Sequence, residues 1–171
     1  LARVALEKPT AATYEQARLL LPFARRGFEI YQMDHKLFNR APLEFVEACR
    51  RNPRLLERVS HVDGIYYEMD GIAPGRQQED CIADVVWHLY TVMLAAWLTT
   101  GVELQVSVEG VITATHRPDP QERFSRPSVW TASRVRGYLS SRHDVTYDFF
   151  QAKGAPKSAK VIHMYDAHGS L

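Results

Sequence analysis

Asp84 and His88 stand four residues apart in Ala83-Asp84-Val85-Val86-Trp87-His88-Leu89, so a helix would put both on one face. A carboxylate on such a face can help to hold a metal. A hard cation would need more, because magnesium is held through several oxygens. Three residues before Asp84 the chain has Cys81, which offers none, and no Glu-Glu-x-x-Glu run occurs elsewhere. A hydrogen-bonded pair capping a core contact is the reading of lower cost. His143-Asp144 lacks a companion His and Asp at suitable spacing, and His163 and His168 fall in a polar tail without the rigid shell a metal needs. Gly-x-x-x-x-Gly-Lys-Ser/Thr, Gly-x-Gly-x-x-Gly, Gly-x-Ser-x-Gly and His-Glu-x-x-His patterns are all absent. The expectation is a chain with no catalytic residue, no cofactor and no metal.

The elements that would carry these residues read as helices. Glu79–Thr99 is the clearest, with Ile82, Val85, Val86, Leu89, Val92, Met93, Ala96 and Trp97 on its core face and Gly101 as its C-cap. Helices are also predicted over 11–28, 28–38, 43–51, 54–69, 128–141 and 145–151. Val102, Leu104, Val106 and Val108 alternate with other residues as in a strand, but no partner strand is evident, so 102–115 is read as helix too. Gly71-Ile72-Ala73-Pro74-Gly75 is a turn, Arg117-Pro118-Asp119-Pro120 breaks the chain, and 154–171 reads as an extended tail.

Composition is that of an ordinary globular protein, with 171 residues, 46% hydrophobic, 24% charged and net charge +1. That balance argues against a nucleic-acid or anionic-membrane surface. From Arg117 onward there are nine Lys or Arg against five Asp or Glu, so the C-terminal third is basic. Cys49 and Cys81 sit among apolar residues without metal spacing and read as buried thiols in a reducing compartment. The apolar run 81–102 contains Asp84 and His88, which favours a buried core helix over a membrane span. The chain begins at Leu1, which fits a trimmed form or one whose targeting peptide has been removed.

Two segments echo each other. Ile30-Tyr31-Gln32-Met33-Asp34 leads to Ala41-Pro42, and Tyr66-Tyr67-Glu68-Met69-Asp70 leads to Gly71-Ile72-Ala73-Pro74, with the two methionines 36 positions apart. A weaker third unit runs from Ile82 to Pro118, marked by Ala95-Ala96-Trp97, Gly101 and Arg117-Pro118-Asp119. A period near that length is the mark of a helix-pair repeat. The pattern resembles the pentatricopeptide repeat in degenerate form, and Pro22 and Pro53 interrupt its helices. The resemblance implies an all-α fold of about three stacked antiparallel helix pairs over 1–120, followed by a C-terminal helix or helices and an extended tail over 121–171. It further implies a non-catalytic accessory subunit on a larger mitochondrial assembly, and the chain looks like the extra subunit on the F1 head of euglenozoan mitochondrial ATP synthase. The expected partners are then ATP synthase F1 subunits and the expected place is the matrix. Phe124, Trp130, Arg134 and Tyr138 are the candidate interface residues, since aromatic and Arg anchors dominate such contacts. Two alternatives are an RNA-reading pentatricopeptide protein, poorly served by this charge, and a MazG-like nucleotide pyrophosphohydrolase built on Asp84 and His88.

Overall fold

The computed structural model describes residues 3–7, 14–69, 86–101, 104–114, 132–140 and 143–170. The chain is α/β, not all-α. Its elements run β1 (Arg3–Glu7), α1 (Tyr14–Arg18), α2 (Leu21–Arg25), β2 (Glu29–Met33), a short 3-10 turn (His35–Phe38), α3 (Arg40–Arg51), α4 (Arg54–Glu57) and β3 (His61–Glu68). Then follow α5 (Trp87–Leu98), β4 (Gln105–Ala114), β5 (Ala132–Ser140), β6 (Asp144–Lys153), β7 (Ala159–Asp166) and β8 (Gly169–Ser170). β1 and β2 form a parallel pair, with α1 and α2 in the crossover between them. The other six strands make one mixed sheet in the order β4-β5-β6-β3-β7-β8, antiparallel throughout except where β3 lies parallel to β6.

This architecture overturns the repeat reading. The two echoed segments are strand ends: Ile30–Met33 closes β2 and Tyr66–Glu68 closes β3. The recurrence therefore joins two strand ends and not two helix pairs. Most of the predicted helices at 28–38, 54–69, 102–115, 128–141 and 145–151 are strand instead. The clearest lesson is β6, where Val145, Tyr147, Phe149, Gln151 and Lys153 are buried in strict alternation. A period of two is a strand's signature. The tail is strand as well, since β7 pairs with the whole length of β3 but its last residue. The domain boundary expected at 120 lies outside the described residues.

Helix α5 does answer to its sequence. Val86, Leu89, Val92, Met93, Ala96 and Trp97 are all buried, and Gly101 takes the positive φ of 68° that suits a residue just past a helix. Ile82 and Val85 lie outside the described residues. α5 packs on one face of the sheet against Val62, Val135, Leu139, Val145, Tyr147 and Phe149. Gly64 permits the close approach, because a Cβ there would stand 2.6 Å from Phe149 and 3.1 Å from Leu89. α3 packs beside α5, burying Cys49. No helix among the described residues is long and apolar enough to cross a membrane.

Candidate functional site

Polar side chains are expensive to bury unless they are paired or used. Among the described residues the buried polar ones are Asp34, His88, Ser133, Gln151 and Lys153, and they belong to one neighbourhood, where α5 begins and β3 and β6 end.

Asp34 follows the last residue of β2, where its carbonyl starts the 3-10 turn by accepting from the Leu37 N–H at 3.0 Å. Its carboxylate faces His88, the second residue of α5, with both oxygens close to Nδ1 at 2.8 and 2.6 Å. The Asp34 side chain is fully buried and that of His88 is 4% exposed. An imidazole that donates from Nδ1 to a carboxylate is fixed in orientation and carries its basic nitrogen at Nε2. This partner lies 54 residues away in the chain. Asp84 itself lies outside the described residues, as does Cys81.

Tyr66 supports this pair from the sheet. Its ring stacks on His88 with centroids 5.1 Å apart and planes 24° from parallel. The Lys160 ammonium stands 4.8 Å from the centre of the same ring. The Tyr66 hydroxyl donates to Glu68 at 3.0 Å, and Glu68 is also paired with Lys153 at 3.2 Å and with Lys160 at 3.9 Å. Burial alone would push the Glu68 carboxyl up. The charge and hydrogen bond of Lys153, the Tyr66 hydroxyl and the charge of Lys160 together outweigh it and hold the group below its ordinary range.

These residues fall into register across the sheet. Ser133 faces Gln151, Gln151 lies beside Tyr66, and Tyr66 lies beside Lys160, forming one row on the face that α5 covers. Glu68 and Lys153 are neighbours two residues further along. A cleft of about 410 Å³ opens beside the row, walled by Phe45 of α3, Leu89 and Val92 of α5, and Ile162 of β7, with His88, Tyr66 and Lys160 supplying polar contacts. An apolar cleft with a few convergent polar groups is the usual form of a small-molecule site.

The other face of the sheet is different in kind. Arg134 reaches Asp148 through two nitrogens, and Arg136 joins them at 3.2 Å. The Arg134 hydrogen bonds, with its charge and those of Arg136 and His61, hold the Asp148 carboxyl below its ordinary range despite some desolvation. His61 bridges Thr146 and Asp63 at 2.7 and 2.8 Å. Of the candidate interface residues, Arg134 and Tyr138 lie on β5 with side chains on this second face, away from the cleft, whereas Phe124 and Trp130 lie outside the described residues. His143 Nε2 donates to the Val59 carbonyl at 2.7 Å, and His163 and His168 sit on β7 and the turn after it. Among the described residues no three His, Cys, Asp or Glu side chains converge as a metal site would need. Sequence reasoning passed over Asp34, Tyr66, Gln151, Lys153 and Lys160. The echo contained Asp34 and Tyr66, but nothing in it pointed to Gln151, Lys153 or Lys160.

Neither a protein-family model nor a curated protein matches the chain by sequence. Solved structures do match by shape. Glucose-6-phosphate dehydrogenase in complex with glucose-6-phosphate superposes with a TM-score of 0.72 at 13% identity, over 96% of this chain and 42% of that one. The likeness is one of fold. A putative myo-inositol dehydrogenase from Sinorhizobium meliloti gives 0.68 at 15% identity, over 99% of this chain and 49% of that one. GenD2 from gentamicin A biosynthesis, in complex with NAD, gives 0.68 at 13% identity, over 98% and 46%. The chain spans less than half the length of each of these proteins. A mixed-sheet α/β fold shared with these structures replaces the expected pentatricopeptide array, and the expectation of a non-catalytic subunit of ATP synthase is overturned with it.

Proposed function

We propose that this chain forms the substrate-side portion of an oxidoreductase acting on a hydroxylated small molecule, with His88 as the proton-transfer group and Asp34 as the residue that orients it. The observation that carries the reading is the buried Asp34–His88 pair at the wall of the cleft. Oxidising an alcohol to a carbonyl breaks an O–H and a C–H bond. An imidazole held by a carboxylate takes the hydroxyl proton in that direction and returns it in the other. The similar structures named for glucose-6-phosphate and myo-inositol dehydrogenases support the substrate class.

A nicotinamide dinucleotide is the hydride acceptor this fold suggests, and its pyrophosphate wants a glycine-rich turn leading into a helix N-terminus. The residues here do not fit it. No glycine occurs between Glu7 and Tyr14, the helices that follow β1 are five residues each, and the first turn of α1 carries Glu15. The phosphates of such an acceptor therefore need contacts beyond the described residues, and the chemistry assigned here is limited to substrate binding and proton transfer.

The test combines turnover with binding. The purified chain is assayed with NAD⁺ or NADP⁺ against glucose, glucose 6-phosphate and myo-inositol, while its melting temperature is followed with the same compounds. A stabilising shift supports the substrate-side role, and turnover, where seen, should fall roughly 10²–10⁴-fold in His88→Ala. Neither shift nor turnover across the panel would overturn the reading.

A further inference from the structure

We infer that Lys160 binds a single carboxylate on the substrate, so that the cleft takes a hydroxy acid whose middle is apolar. This rests on the substrate-side reading above and narrows its substrate class.

Lys160 stands on the wall of the cleft, and among the described residues there it is the only Lys, Arg, Asp or Glu. Its ammonium lies 4.8 Å from the centre of the Tyr66 ring, and that ring lies 5.1 Å from the centre of the His88 imidazole. One aromatic ring therefore links the cation to the proposed proton-transfer group, a span that a small molecule bridges. Glu68 does not use up the Lys160 charge. Its nearer cation is Lys153 at 3.2 Å, it also accepts from the Tyr66 hydroxyl at 3.0 Å, and Lys160 stands off at 3.9 Å. The Lys153 side chain is 8% exposed and that of Lys160 is 47% exposed. A long contact made by a half-exposed ammonium is worth little, so a bound carboxylate displaces it cheaply.

The charge count selects a monoanion. Two lysines against one glutamate leave one net positive charge in this cluster. A carboxylate balances it. A phosphate dianion would leave a negative charge beside Glu68, with the Asp34 carboxylate behind His88 adding to the repulsion. Lysine also offers a point charge, not the guanidinium fork that matches a phosphate through two parallel bonds. The walls select what lies between the two polar ends. Ala41, Pro42, Phe45, Leu89, Val92 and Ile162 line the cleft, and a substrate hydroxyl set against them would lose water without gaining a partner. The substrate thus presents a hydroxyl to His88, a carboxylate to Lys160 and hydrocarbon to the walls.

The experiment measures by calorimetry the binding of trans-4-hydroxycyclohexanecarboxylate, its carboxamide and glucose 6-phosphate to the whole chain and to Lys160→Gln and Lys160→Met. Wild type should prefer the acid to the carboxamide by about tenfold or more, as one charged hydrogen bond predicts, and should bind the acid more tightly than glucose 6-phosphate. Both variants should lose that preference while binding the carboxamide as wild type does, which separates a lost charge from a damaged cleft. Both should melt close to wild type, since the side chain is half-exposed. If glucose, glucose 6-phosphate and myo-inositol neither bind nor turn over but the acid binds through Lys160, the redox reading falls and this inference stands. If a neutral polyol turns over but wild type binds acid and carboxamide equally, the redox reading stands and this inference falls. No binding of the acid by wild type, an acid preference that survives in both variants, or tighter binding of glucose 6-phosphate than of the acid would each overturn it as well.

Discussion

Replacing His88 alone should harm the chain more than replacing His88 and Asp34 together. The Asp34 carboxylate has no solvent exposure, and His88 Nδ1 lies within 2.8 Å of both its oxygens. In His88→Leu that charge stays buried without the imidazole. Deleting one member of a buried ion pair costs about 3–5 kcal/mol, whereas apolar replacement of both members is often neutral or stabilising. One kcal/mol moves the melting point of a chain of this size by roughly 2–4 °C, so His88→Leu should melt roughly 6–20 °C low. Asp34→Leu leaves an N–H rather than a charge without its acceptor and should cost about 1–3 kcal/mol. Urea unfolding of wild type, both single variants and the double variant at neutral pH closes the cycle, with an expected coupling of roughly 4–8 kcal/mol if the double variant is neutral. If His88→Leu costs less than about 1 kcal/mol, or the two substitutions simply add, the imidazole is not held by Asp34 and the proton-transfer argument loses its base.

Other expectations follow from single contacts. Glu68 is held below its ordinary value of 4.5, so its contribution to stability is present above that pH and is lost as pH falls through the depressed value; Glu68→Gln should flatten the acid limb of the stability curve, and an unchanged limb would refute the Lys153 pairing. A Cβ on Gly137 would stand 1.9 Å from the Ser107 carbonyl and 2.5 Å from the Tyr147 hydroxyl, which donates to that carbonyl at 2.8 Å. Gly137→Ala should therefore cost about 1–3 kcal/mol through overpacking, read as a lower melting temperature. Burial raises the Cys49 thiol above its ordinary value, so peptide mapping after treatment with a thiol reagent should find Cys49 modified only once urea has unfolded the chain.

What could be read from sequence followed from how local each signal is. Helix α5 announces itself through contacts three and four residues apart, and the expected core residues from Val86 to Trp97 are buried. Strand β6 carries an equally regular pattern, Val145, Tyr147 and Phe149, but a strand is stable only through neighbours far along the chain, and β6 finds them in β3 and β5. Judged without those partners, its period of two gave way to the helical reading of the segments around it. The same distance hid the site. Asp34 and His88 are 54 residues apart, and Gln151 meets Ser133 across 18, so no window short enough to show a motif contains them. Cys81 and Asp84, the residues weighed beside His88 in the sequence, lie outside the described residues.

Strand β3 sits between β6 and β7, both of which come from the last 30 residues or so of the chain. During synthesis the strand that will be central leaves the ribosome long before either flank exists, with both of its edges unpaired. Long-range pairing of this kind is slow, and open edges invite wrong partners in the interval. A nascent chain halted before Asp144 would have the helices, the first parallel pair and a bare β3, but no floor for the cleft. Premature termination anywhere in the final sixth of this chain should therefore yield aggregation-prone material that chaperones hold, not a shortened protein that still binds its substrate.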